Sequence, residues 1–143
     1  MSKNLMIIML GVTLLFACDK ATNASAKLDG EWELISYKLT ISNGMSYLGT
    51  GDGSLIFSDI ESENSDRTYL FQFNQSVNGA VMIKEEAGFF SVSYEPGFPE
   101  LSMNTSTGTS TSYRILTLNK SDLQLEGSDS LGRIHTFLFR RLK

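Results

Sequence analysis

The sequence predicts an all-β domain, an antiparallel up-and-down β-barrel of about eight strands, with a β-sandwich as the alternative. Three observations carry this. Beyond residue 29 apolar and polar residues alternate, as in Glu31-Trp32-Glu33-Leu34, a period of two that sends successive side chains to opposite faces of a strand. Gly, Asn, Asp or Ser breaks the alternation every eight to twelve residues or so, the spacing of a meander of short strands. No long stretch repeats at helical spacing, and the one helical candidate is a single turn at 24–29.

Taken in order, the predicted strands are 31–41, 54–60, 67–74, 80–84, 89–94, 100–104, 112–119, 122–126 and 133–141. Turn chemistry separates them. Asn43-Gly44, Asp52-Gly53, Asn78-Gly79, Pro96-Gly97 and the run from Ser128 to Gly132 suit tight reversals. Residues 102–112 are almost all Ser, Thr, Asn and Gly, with Met103 the one apolar member, and read as a long exposed hairpin loop. Short connections between many strands favour a meander that closes on itself and so removes its edges. An immunoglobulin-like sandwich fits less well, for no Trp lies between two cysteines.

The N-terminus carries an address. Residues 5–17 are an almost unbroken apolar run behind Met1-Ser2-Lys3-Asn4. Thirteen residues fall short of the ~20 that a membrane-spanning helix needs, but suit the core of a signal peptide. Leu15-Phe16-Ala17-Cys18, which follows, resembles the lipobox of bacterial lipoproteins. That resemblance implies removal of residues 1–17 and a diacylglyceryl group on the Cys18 sulfur. The exposed amine is acylated in turn where the pathway is complete, and two or more chains hold a protein stably on a membrane. The expected organisation is a signal peptide at 1–17, a lipidated cysteine with a flexible tether at 18–28, and a barrel at 29–143. The expected location is the cell envelope, at the outer membrane or the periplasmic face of the inner one.

Charge and composition exclude several classes of function. Twelve basic residues against sixteen acidic ones, with no basic run, oppose the phosphate tracking that nucleic-acid binding requires. Removing residues 1–17 takes away Lys3 alone among the charged residues, so 126 residues remain with net charge −5. One cysteine and one histidine make neither an internal disulfide nor a His-rich metal site.

A second resemblance covers the domain. Leu28-Asp29-Gly30-Glu31-Trp32 resembles the opening of lipocalin-like domains, where Gly-x-Trp begins the first strand. Tyr113 to Leu118, Leu123-Gln124-Leu125 and Phe137 to Arg141 are similar to the closing strands of short lipocalin-like domains in bacterial lipoproteins, especially those of Bacteroidetes. The resemblance implies that an arginine of the last strand, Arg140 or Arg141, packs across Trp32 and plugs one end of the barrel. The Thr-Asp-Tyr loop and the C-terminal helix of the full lipocalin pattern are missing from the sequence.

Little in the chain points to catalysis, and no enzyme activity or cofactor is expected. His135 is the one available imidazole base, and it stands on a strand without a Gly-x-Ser-x-Gly elbow elsewhere, as expected of a barrel-wall residue. Gly49 to Gly53 lacks the Gly-Lys-Ser/Thr ending of a phosphate loop. Asp59, Glu61, Glu63 and Asp66 are acidic enough for calcium but lack the spacing of an EF-hand, and read as a solvated loop. Glu85 and Glu86 are adjacent, so on a strand they face opposite ways and in a turn they are solvated. Asp129-Ser130-Leu131 resembles the O-glycosylation signal of Bacteroidetes envelope proteins, with Ser130 as acceptor.

Two functions remain in view. One is a membrane-anchored binding module that takes a small hydrophobic ligand into the barrel mouth, with Tyr37, Tyr69, Phe71, Phe73, Tyr113 and Phe137 as its candidate lining. The other is a structural or protein-interaction lipoprotein whose filled barrel presents loops 59–66 and 102–112 to an unidentified protein partner.

Overall fold

A computed structural model describes residues 23–58, 67–94 and 98–142. The strands are β1 (Gly30–Thr40), β2 (Ser46–Leu48), β3 (Thr50–Ser58), β4 (Thr68–Val77), β5 (Ala80–Tyr94), β6 (Pro99–Thr105), β7 (Ser110–Leu118), β8 (Asp122–Ser128) and β9 (Ile134–Arg141). Residues 23–28 form one short helix, α1. Every strand pairs antiparallel with its neighbour, and β9 returns to pair with β1. Eight strands therefore close into a barrel, with β2 added beside the upper part of β1. Among the described residues closure leaves no second sheet, so the architecture is a barrel and not a sandwich.

Alternation selects the interior. Tyr69, Phe71, Phe73 and Val77 of β4, Leu123 and Leu125 of β8, and Phe137 and Phe139 of β9 are all buried at spacings of two or four. β1 departs from this rule. Its pairing with β9 slips between Leu34 and Ser36, a bulge that puts Trp32 and Leu34 inside below it and Tyr37 and Leu39 inside above it. Without the bulge Tyr37 would face solvent.

Four expectations are corrected. Asp52-Gly53 is not a turn, because the chain has already reversed at residues 41–45, where Gly44 N–H bonds to Ile41 C=O and Ile41 N–H to Met45 C=O. Both residues lie inside β3, opposite Asn74 and Phe73 of β4. The two strands expected at 80–84 and 89–94 are one continuous β5. Gly88, between the two expected strands, is a point of close approach, since a Cβ there would lie 2.0 Å from the Asn104 carbonyl oxygen. The long loop expected at 102–112 shrinks to a turn at 106–109 closed by Thr105 N–H to Thr109 C=O, and Met103 is buried in β6. Part of the expected flexible tether is ordered. In α1, Ala24, Ser25 and Leu28 are buried, because their small and apolar side chains cover the lower end of the barrel. Cys18 and the carboxylates at 59–66 lie outside the described residues.

Strand lengths position the site. β4 and β5 pair without interruption up to Val77 and Ala80 at the upper end. β6 pairs with β5 only from Gly88 downward, and its own partner β7 begins at Ser110. The wall is tall along β4 and β5 and low above the β6–β7 turn.

Candidate functional site

The lower end is sealed from the sequence upward. Trp32, fully buried, donates its indole N–H to Leu28 C=O at 2.8 Å, which fixes α1 across the opening. The Arg141 guanidinium stands 4.2 Å over the Trp32 ring. It donates through Nη1 to Asp29 C=O, through Nη2 to Lys27 C=O, and through Nε to Lys120 C=O at 3.0 Å. Gly30 makes this possible. Its φ is +121°, and a Cβ there would lie 2.7 Å from Arg141 Nη1. Of the two terminal arginines only Arg141 reaches Trp32; Arg140 is exposed on the outer face, in register with Glu33 and Asp122.

The middle of the barrel is filled. Phe71 meets Phe137 edge to face at 5.7 Å and Phe139 at 6.3 Å, and Phe57 meets Phe90 at 4.8 Å. The gap among Leu55, Phe71, Met103, Leu125 and Phe139 has no room for a water molecule.

Above that plane the barrel opens into a cup of about 910 Å³. Phe71, Phe73, Phe137 and Tyr113 form its floor, β5 supplies Met82 and Lys84 on the tall side, and residues 109–112 and 127–130 form the lip. A shallower groove of about 370 Å³, between α1 and Phe98, Pro99 and Leu118, lies outside the barrel. Of the six aromatic residues read from the sequence, Phe71, Phe73, Tyr113 and Phe137 line the cup directly. Tyr37 lies behind them, edge-on to Phe73 at 4.8 Å. Tyr69 is buried and bonded to Glu86.

Two polar clusters in the upper barrel were not read from the sequence. On one wall the Tyr37 hydroxyl lies 2.8 Å from His135 Nδ1, and His135 Nε2 lies 3.0 Å from Asp129 Oδ2. Arg133 Nε donates to the same oxygen at 2.7 Å, while Asp129 Oδ1 accepts the backbone N–H groups of Leu131 and Arg133. The hydrogen bond from His135, reinforced by the donors from Arg133 and Leu131 against the cost of burial, holds the Asp129 carboxyl well below the usual carboxylate range. With a neutral imidazole, the ionised Asp129 accepts from Nε2–H, Nδ1 carries the lone pair and Tyr37 donates to it. Burial pushes the Tyr37 hydroxyl up to about 12, so it keeps its proton at neutral pH.

On the opposite wall, Lys84 and Glu86 of β5 point inward. Lys84 Nζ lies 3.0 Å from Glu86 Oε2 and 5.5 Å from the centroid of Phe71. Tyr69 donates to Glu86 Oε1 at 2.7 Å. Burial, then the bond to Glu86, raises the Tyr69 hydroxyl above its ordinary range; burial and the nearby Glu86 charge do the same to Tyr113. Of the two readings of Glu85 and Glu86, the strand holds and the solvated turn does not. β5 runs straight through that position and turns Glu86 inward and Glu85 outward. His135 likewise faces inward, its side chain 16% exposed. Among the described residues no cluster of three or more His, Cys, Asp or Glu is arranged to hold a metal ion.

No protein-family model matches the chain, and no curated protein matches it. Among solved structures it is similar to a de novo designed fluorescence-activating β-barrel, at 17% identity over 83% of this chain and 97% of that one, TM-score 0.45. It is also similar to a redesigned β-barrel at 14% identity, covering 84% and 96% of the two chains, TM-score 0.45. A redesigned barrel bound to DFHBI matches at 14% identity over 82% and 98%, TM-score 0.41. The strand pairings of the chain itself make it a closed antiparallel barrel of eight strands with one strand added.

Proposed function

We propose that this chain is a lipid-anchored envelope protein of the lipocalin-like kind whose barrel takes a small, largely apolar molecule into the cup at its upper end. The carrying observation is the contrast of filling within one barrel. The gap between Phe71, Phe137 and the residues beneath them, Leu55, Met103, Leu125 and Phe139, has no room for water, while above these rings about 910 Å³ stands open over an aromatic floor. Small-molecule sites are concave, mostly apolar and furnished with a few placed polar groups, and the cup has these properties. Leu15-Phe16-Ala17-Cys18 supports the anchor. Cys18→Ser is expected to release the protein from membranes and leave its signal peptide uncleaved; processing and retention as before would refute the anchor. Native mass spectrometry of the lipidated chain from its own host is expected to show a bound small molecule, and Thr111→Trp, on the inward face of β7 at the lip, to lose it. A chain that carries nothing, in wild type and variant alike, would refute the binding role.

One observation favours the second reading, a protein-interaction role. Among the described residues, 80–86 of β5 pair with β4 alone, and Val81 and Ile83 on that stretch are 67% and 77% exposed. An unpaired apolar strand edge is a template for another extended chain.

A further inference from the structure

The cup contains hydrogen-bonding groups that its own fold uses up and others that it does not. Both carboxylates at its walls are used. Each oxygen of Asp129 receives two donors, from Leu131, Arg133 and His135. Glu86 receives Tyr69 on one oxygen and Lys84 on the other. The Tyr37 hydroxyl is paired with His135 Nδ1. Lys84 is different. Its ammonium has three hydrogens, and among the described residues its one ion-pair partner is Glu86. It lines the cup with its side chain 37% exposed, against 13% for Glu86.

The sign of the spare bonding capacity selects among ligands. A neutral apolar molecule filling the cup would strip water from Lys84 and return nothing for it, which is unfavourable for a charged group. A cationic ligand would compete with Lys84 itself for the face of Phe71, where Nζ already stands. An anionic group gains a charge-assisted hydrogen bond from Lys84 while the Lys84–Glu86 pair stays intact. The floor sets the shape. Because the barrel is packed below Phe71 and Phe137, an apolar body stops at those rings and cannot extend down the axis.

We infer that the cup receives a compact organic anion, its ring system on Phe71, Phe73 and Phe137 and its acid group on Lys84. This rests on the binding role proposed above and names the ligand class that the role requires.

The test compares naphthoate with naphthamide, which share one ring system and differ in charge. Each is titrated by calorimetry into the full lipidated chain in detergent micelles, with matched micelles in both solutions. Wild type is expected to bind naphthoate about tenfold more tightly than naphthamide, the ordinary effect of one charged hydrogen bond. Lys84→Met should abolish the preference by weakening naphthoate, with naphthamide bound no more weakly than by wild type, and Lys84→Arg should restore it. Lys84→Met combined with Glu86→Gln should match Lys84→Met alone, which separates loss of the ammonium from exposure of a bare carboxylate. Lys38→Met, an exposed lysine on β1, should behave as wild type. Equal affinities in wild type, or a preference that survives Lys84→Met, would overturn the inference while leaving the cup a binding site. Failure of both compounds to bind would overturn the binding role and the inference with it.

Discussion

The two ends of this barrel are built from the same alternation of strands but by opposite use of their polar groups. At the lower end Arg141 and Trp32 bond to backbone carbonyls of α1 and the flanking turns, so the polar atoms there close the structure. At the upper end polar side chains bond mostly to one another across the walls, Tyr37 to His135 to Asp129 and Tyr69 to Glu86 to Lys84, and leave the space between them open. The comparison teaches that closure depends on what caps the barrel. The lower end has a helix and an arginine; the upper end has a low wall above the β6–β7 turn.

The largest effect that sharpens this contrast belongs to Trp32→Ala. It should cost about 3–5 kcal/mol in denaturant unfolding, as expected for a fully buried ring whose loss also releases Leu28 C=O. A loss below about 1 kcal/mol would mean that the lower end is not held by this side chain. Gly30→Ala comes next, at about 1–3 kcal/mol, since it forces a left-handed backbone on alanine and moves Arg141 off its carbonyl partners. Both substitutions should leave naphthoate affinity nearly unchanged, because neither residue lines the cup.

Substitutions at the upper end are expected to be milder and to depend on pH. Asp129 is held below its ordinary value in the folded state, so its contribution is present above the unfolded pKa of ~4 and fades as pH falls through the lower folded value. Asp129→Asn should therefore cost about 1 kcal/mol at neutral pH and flatten the acid limb of the stability curve; an unchanged acid limb would remove the carboxylate from the account. Tyr37 runs the other way. Its value is raised, so the stability it contributes is complete below ~10 and is lost as pH climbs toward about 12. Tyr37→Phe should make the alkaline limb slightly shallower, the smallest of these effects, read by unfolding at stepped high pH.

The sequence made the lower end readable and most of the upper end unreadable, for physical reasons. Gly30, Trp32 and a terminal arginine are rare residues in a short pattern, and the geometry that joins them is local to the barrel's two terminal strands. The aromatic floor was also readable, because Phe71, Phe73 and Phe137 sit on strands of unbroken alternation. Lys84 and Glu86 were not, since a polar stretch resembles a turn until β4 pairs with β5 from Ala80 to Phe89. The bulge in β1 is equally hidden. Nothing in Leu34-Ile35-Ser36 announces that parity changes there, so the position of Tyr37 depends on the register with β9.

The central claim is that one end of the barrel binds while the other only holds it shut. Titration of the full chain with naphthoate, followed residue by residue by nuclear magnetic resonance, tests this most directly, because Trp32 is the sole tryptophan and its indole N–H is a single reporter of the sealed end. Saturable shifts are expected at Phe71, Phe73, Lys84, Thr111 and Phe137, with the Trp32 indole signal unmoved. Shifts at Trp32 and α1, with the cup residues silent, would contradict it.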